Sequence, residues 1–143
     1  MRSADVHLVP GVRSFVDLDA WKLANALKLG IYELLQRPDV QRDREFHNQI
    51  RNAAAAAPRN IAEGFGRFQS RDFSQYLRIA NGSLHETSNH LRDGIDRGYF
   101  TGKEIEPLEM LARRASAAVT ALLRYLRRAR TPSARTFEPP EHP

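Results

Sequence analysis

The 143-residue sequence predicts an all-α fold, an antiparallel four-helix bundle. Three observations carry this. Four segments repeat apolar residues every three or four positions, no stretch alternates long enough to make a strand, and the connections between the four are short. The length fits one domain, placed at residues 15–130. A flexible N-terminus, 1–14, precedes it, and a disordered tail, 131–143, with four of the eight prolines, follows it.

The first helix is predicted over Asp19 to Leu35, with Ala20, Leu23, Leu27, Ile31 and Leu34 on one face. Asp17 or Asp19 caps it and Arg37-Pro38 ends it. The second runs from Asp43 to Glu63 on Phe46, Ile50, Ala53, Ala57 and Ile61, with Gly64 as its stop and Pro58 as a kink. The third starts at Ser70 as N-cap and stops at Gly98, its inner stripe being Phe73, Leu77, Ala80, Leu84, Ser88, Leu91 and Ile95. At 1.5 Å per residue it is roughly 40 Å long. The fourth opens on a capping box, Thr101 with Glu104, and carries Leu108, Leu111, Ala115, Val119, Leu122, Leu126 and Ala129. Pro107 either bends its first turns or marks a later start.

Composition excludes several chemistries. With no cysteine there is no disulfide framework, thiol catalysis, iron–sulfur cluster or Cys-based zinc site. No apolar run approaches the roughly 20 residues that span a membrane. Met1 to Gly11 lacks a signal-peptide apolar block, so the expected location is cytoplasmic. His85 and His90 are five apart, about 140° round a helix, whereas a zinc-protease helix needs two His four apart on one face. The Glu-x-x-His pairs of di-iron bundles are missing as well. Gly64-Phe65-Gly66 follows a helix and lacks a third glycine, so it turns the chain rather than cradling a dinucleotide. There is no P-loop and no nucleophile elbow. The expectation is a non-enzyme without cofactor or metal.

The charge of +5 is unevenly placed. Residues 1–110 carry 15 basic and 15 acidic side chains, whereas residues 111–143 carry seven arginines against two glutamates. On a helical wheel Arg113, Arg114, Arg124, Arg127 and Arg128 share an arc of about 140°, opposite the Leu/Val/Ala stripe. Such a face is either a solvated surface favoured near a helix C-terminus or a phosphate-binding ridge. Only three of the 22 basic residues are lysine, which fits bidentate phosphate contacts and equally fits a GC-rich genome. Two features point to assembly. Ala53 to Ala57 lets a helix approach closely, and Trp21, Tyr32, Phe65, Phe68, Tyr76, Tyr99 and Phe100 either line an interface or cap the bundle ends.

Three blocks carry a family resemblance. They are Phe15-Val16-Asp17-Leu18-Asp19-Ala20-Trp21, then Gln49-Ile50-Arg51 through Pro58-Arg59-Asn60-Ile61-Ala62-Glu63-Gly64-Phe65-Gly66-Arg67, then Ile79-Ala80-Asn81-Gly82-Ser83-Leu84-His85-Glu86. In this order and spacing, over roughly residues 15–129, the chain resembles the "four helix bundle protein" family. That family includes proteins encoded in intervening sequences of 23S ribosomal RNA genes. A relative is the accessory variability protein of diversity-generating retroelements. The resemblance implies a four-helix protomer in a ring-like homopentamer with a basic surface. For the retroelement relative it also implies nucleic-acid binding and contact with a reverse transcriptase. By motif position Arg51, Arg59 and Arg67 are the basic members of the second helix and its exit. The chain departs from the pattern at Asn52, where a second Arg is usual, at Ala55, where Ser is common, and in the Arg37 to Arg44 connection.

The leading expectation is therefore an oligomeric, non-enzymatic protein that binds RNA or DNA mainly through phosphate contacts. Its site residues are Arg51, Arg59, Arg67, Arg113, Arg114, Arg124, Arg127 and Arg128. Its partners are itself, nucleic acid and a reverse transcriptase or other protein, with no membrane. The alternative is a scaffold module that docks an acidic partner without nucleic acid.

Overall fold

In a computed structural model the described residues are 8–130, with the side chain of Arg130 left aside. The expected tail, 131–143, and the first half of the expected flexible N-terminus lie outside them. Every regular element among the described residues is helical: a 3-10 turn, Phe15–Asp17, then α1 Asp19–Leu34, α2 Pro38–Arg42, α3 Arg44–Phe65, α4 Ser70–Asp96 and α5 Gly102–Arg130. The four long helices are the four that periodicity predicts. They form a closed cycle in which α3 packs between α1 and α4, and α5 packs between the same two on the other side. None is long and apolar enough to cross a membrane.

Each boundary has a local cause. Ser14 and Asp17 form a reciprocal capping box at the 3-10 turn. Ahead of it Leu8, Val9 and Val12 pack against the core, so residues 8–14 of the segment expected to be flexible are held in place. The connection expected to be atypical contains α2. Arg37-Pro38 does end α1, but Pro38 also starts a new helix, since its fixed φ and absent N–H suit a first-turn position. Val40 points inward from α2 and is fully buried. Asp43 then caps α3 by accepting from the Phe46 amide at 3.2 Å.

Two glycines expected to act alike do not. Gly64 is inside α3, which runs on to Phe65. A Cβ on Gly64 would lie 2.5 Å from Cβ of Tyr76, so the residue is there to let α3 and α4 approach, not to stop the helix. Gly98 is the real stop. At φ +81° it lets the Gly98 amide donate to Ile95 and the Tyr99 amide donate to Gly94, closing α4 in a Schellman motif. Ser70 is the first residue of α4 rather than its cap, which falls on Gln69. α5 starts at Gly102 as its capping box requires, with Glu104 N donating to Thr101 Oγ1 at 3.2 Å, and Pro107 lies within the helix.

The core is Leu27, Ile31, Phe46, Ile50, Ile61, Phe73, Leu77, Leu84, Leu91, Val119 and Leu126, all nearly inaccessible. Each contributes about 1.5–3 kcal/mol of apolar burial. The polar residues Ser83 and Thr87 also face inward from α4; their hydroxyls donate back to the carbonyls of Ile79 and Ser83. Ala129, expected on the α5 stripe, is exposed. Most of the surplus aromatics cap the ends of the bundle. Phe65 meets Phe73 edge to face, Tyr99 and Phe100 pack on Phe46, and Trp21 packs on Phe15. Tyr32 and Phe68 remain exposed, as do Leu29, Ile79 and Met110.

Candidate nucleic-acid interface

The eight sequence-predicted arginines do not form one surface. Arg51 and Arg59 are on α3, Arg67 is just past its end, and the other five are on α5. Because α3 and α5 occupy opposite corners of the cycle, the two sets face apart.

Within the α3 set the environments differ. Arg51 lines a shallow groove with Tyr32, Gln36 and His47. Arg59 is exposed. Arg67 is already engaged: its Nη2 donates to Glu63 Oε1 at 2.8 Å and to the Tyr76 hydroxyl at 3.0 Å. The hydrogen bond to Glu63 raises the guanidinium further above its already high range, and the Tyr76 phenolic oxygen and the Glu63 charge add to it. Replacing Arg67 therefore disturbs the α3–α4 corner as well as any ligand contact.

On α5 the inner face is set by Ile105, Leu108, Ala112, Ala115, Val119 and Leu126. That fixes the outer face, and Arg113, Arg114, Arg124, Arg127 and Arg128 are all exposed on it. Among the described residues the side chains of Arg113, Arg114, Arg124 and Arg128 have no ion pair or hydrogen bond. Along the axis the five fall into two groups. Arg113 and Arg114 lie at mid-helix, and the other three lie near the C-terminal end. Ala117, Ala118 and Ala121 separate them, a gap of about 15 Å at 1.5 Å per residue. A wheel projects this gap away, so the expected ridge is two basic groups on one helix face.

The mid-helix group borders a groove between α4 and α5 that sequence reasoning missed. Leu84 and Ala112 line it together with His85, Ser88, Arg113 and Ser116. His85 is raised by the sequence only as a metal ligand, at a spacing that does not fit one. It opens onto α5, whereas His90 turns toward the Phe46 ring, 6.5 Å between centroids, with Glu86 3.5 Å from its Nε2. The spacing of His85 and Ser88, three apart on α4, was visible; what faces them from α5 depends on the pairing register of the two helices.

Other arginines are tied into the frame. Arg37 donates to the Tyr99 carbonyl at 2.7 Å and pairs with Glu104. Arg97 pairs with Asp93 and Asp43 at 2.8 and 2.9 Å, and Tyr99 donates its hydroxyl proton to Asp43 at 2.6 Å. Arg92 crosses from α4 to Glu109 of α5 at 3.1 Å.

Among curated proteins the chain finds no match. Residues 16–121 match a family described as 23S rRNA-intervening sequence protein. The match takes in Arg51, Arg59, Arg67, Arg113 and Arg114 and ends before Arg124, Arg127 and Arg128. It starts at the 3-10 turn and covers α1 to α4 whole, with two thirds of α5. With most of its length matched, the chain belongs to the 23S rRNA-intervening sequence protein family.

Proposed function

We propose that this protein is a non-enzymatic nucleic-acid-binding protein that meets phosphates through the arginines of α5 and acts as a homo-oligomer. The observation that carries the reading is that four arginines exposed on one helix face, Arg113, Arg114, Arg124 and Arg128, have no acidic partner among the described residues, while the arginines that tie the bundle together, Arg37, Arg67, Arg92 and Arg97, each have at least one. Uncompensated guanidinium groups on one helix face repel each other until an anion meets them, and guanidinium geometry suits phosphate oxygens. The family description, which refers to 23S rRNA, makes RNA the first polymer to test. The retroelement resemblance adds a reverse-transcriptase complex as a partner to test. A ring of protomers, up to the pentamer the resemblance implies, would repeat the basic face and raise avidity without any new contact.

Fluorescence anisotropy of labelled single-stranded and duplex RNA and DNA, over a range of salt, tests this reading. Binding is expected with a steep loss of affinity as salt rises, and Arg124→Gln with Arg128→Gln should weaken it about tenfold or more. Binding that is absent for all four polymers overturns the reading and leaves an acidic protein partner as the occupant of α5. Light scattering on the same sample reads the oligomer; a monomer at every concentration overturns that part alone.

A further inference from the structure

The pairing register of α4 and α5 isolates a small set of polar side chains. The helices are antiparallel, so Arg92 lies across from Glu109, Ser88 beside Arg113, and His85 and Asn81 near Ser116. Two of these rungs are closed. Arg92 Nε reaches Glu109 at 3.1 Å, and Ser116 Oγ donates to Asn81 Oδ1 at 2.6 Å. Between the closed rungs lies the groove, of about 160 Å³, with Leu84 and Ala112 as its apolar lining. The side chains of Arg113, His85 and Ser88 line it and have no hydrogen bond or ion pair among the described residues.

We propose that this groove is a phosphate site in which Arg113, His85 and Ser88 hold one phosphate group; its role in the molecule rests on the nucleic-acid reading above. The donor set is the argument. A guanidinium, an imidazole N–H and a hydroxyl approach from two helices, and a tetrahedral oxyanion has oxygens for all three. A planar carboxylate also has lone pairs for three donors, but they lie in one plane, whereas donors converging from two helices suit the spread oxygens of a tetrahedral group better. Glu109, one turn before Arg113 on α5, is already engaged by Arg92, and Glu86, next to His85 on α4, lies beside His90, so neither pairs with Arg113. The volume is ample for one phosphate, and the donors rather than the volume select it. The groove therefore fixes where a single phosphate sits, and the second arginine group, about 15 Å further along α5, meets the polymer elsewhere.

The neutral member of the set separates a built site from a merely charged face. Ser88→Ala removes a hydroxyl and no charge, at a half-buried helical position where alanine is the better helix former. It is expected to weaken oligonucleotide binding about threefold with an unchanged salt slope. Arg113→Gln is expected to weaken it about tenfold and to reduce the slope by roughly 0.7–0.9. Inorganic phosphate, titrated at constant ionic strength, is expected to shift the His85 side-chain nitrogen resonances in the native chain and not in Arg113→Gln.

If phosphate leaves His85 unmoved and Ser88→Ala binds like the native chain, the site is overturned, even where Arg124→Gln weakens binding and so upholds the broader reading. If phosphate moves His85 but no oligonucleotide binds, the site stands and the nucleic-acid reading falls. Oligonucleotides with 5′-phosphate and 5′-hydroxyl ends separate the two sources of the group. A preference for the 5′-phosphate that Ser88→Ala abolishes assigns a terminal monoester. Equal affinity, still lowered by Ser88→Ala, assigns a backbone diester.

Discussion

The end of the bundle where α2, the close of α4 and the start of α5 meet uses arginine differently from the outer face of α5. At that end Arg37 joins Glu104 and the Tyr99 carbonyl, and Arg97 joins Asp43 and Asp93. Their guanidinium groups also lie over the rings of Phe100 and Phe46, at 5.9 and 5.3 Å. On α5, Arg113, Arg114, Arg124 and Arg128 extend into solvent without a partner among the described residues. The same side chain thus ties helices together in one region and stays available in the other. Each arginine carries the same charge in both regions, and what differs is the carboxylates within its reach.

The sharpest way to break this comparison is to remove the charge on α5. Gln at Arg113, Arg114, Arg124 and Arg128 together is expected to lower nucleic-acid affinity by about a hundredfold or more and to reduce the salt slope by roughly 3. The melting temperature should hold or rise slightly, because removing like charges relieves repulsion without costing a contact. Salt titrations followed by anisotropy, with calorimetry on the same samples, read both. A fall in melting temperature with unchanged binding would reverse the assignment of the two regions.

The complementary change is Arg37→Gln. It strips the Tyr99 carbonyl and Glu104 of their donor at a half-buried corner, and is expected to lower the melting temperature by about 2–5 °C with nucleic-acid affinity unchanged. The effect is modest because both side chains are about a third exposed, 39% for Arg37 and 31% for Glu104. Calorimetry against the native chain measures it, and a loss of binding at constant stability would place Arg37 in the interface instead.

Which arginines fall in which class was only half legible in the sequence. The exposure of the α5 arginines follows from the stripe opposite them, since Leu108, Val119 and Leu126 fix the helix orientation. Pairing does not follow, because Arg97 meets Asp43 across 54 residues and Arg37 meets Glu104 across 67. Such contacts depend on helix register, which no local pattern encodes. The fold shows the same division. The Thr101–Glu104 box and the Gly98 stop are local rules and read directly. Gly64 looked like a second stop because a glycine's local freedom is visible while the nearby Tyr76 is not. α2 was missed because in five residues only Val40 faces inward, and no period can be read from one residue.

The smallest and most specific probe of the paired end is Tyr99→Phe. The Tyr99 hydroxyl is the main cause that holds the Asp43 carboxyl below the usual carboxylate range, followed by the Phe46 amide and by Arg97. In return, the bond to Asp43, with burial behind it, holds the Tyr99 hydroxyl above the usual tyrosine range. The two signs differ. A depressed carboxyl stabilises the fold above its ordinary value, near 4, and that contribution is lost as pH falls through the depressed value. A raised phenol stabilises below its ordinary value, near 10, and that contribution is lost as pH rises through the raised one. Deleting one oxygen removes both. Tyr99→Phe is expected to lower the melting temperature by a few degrees at most between about pH 5 and pH 9, and the two proteins should converge at either extreme. A constant gap down to the acid limit would mean that Asp43 takes its stabilisation from Arg97 and the Phe46 amide instead. Nucleic-acid affinity should not change, since Tyr99 lies at the end of the molecule where every arginine that reaches it already has a carboxylate.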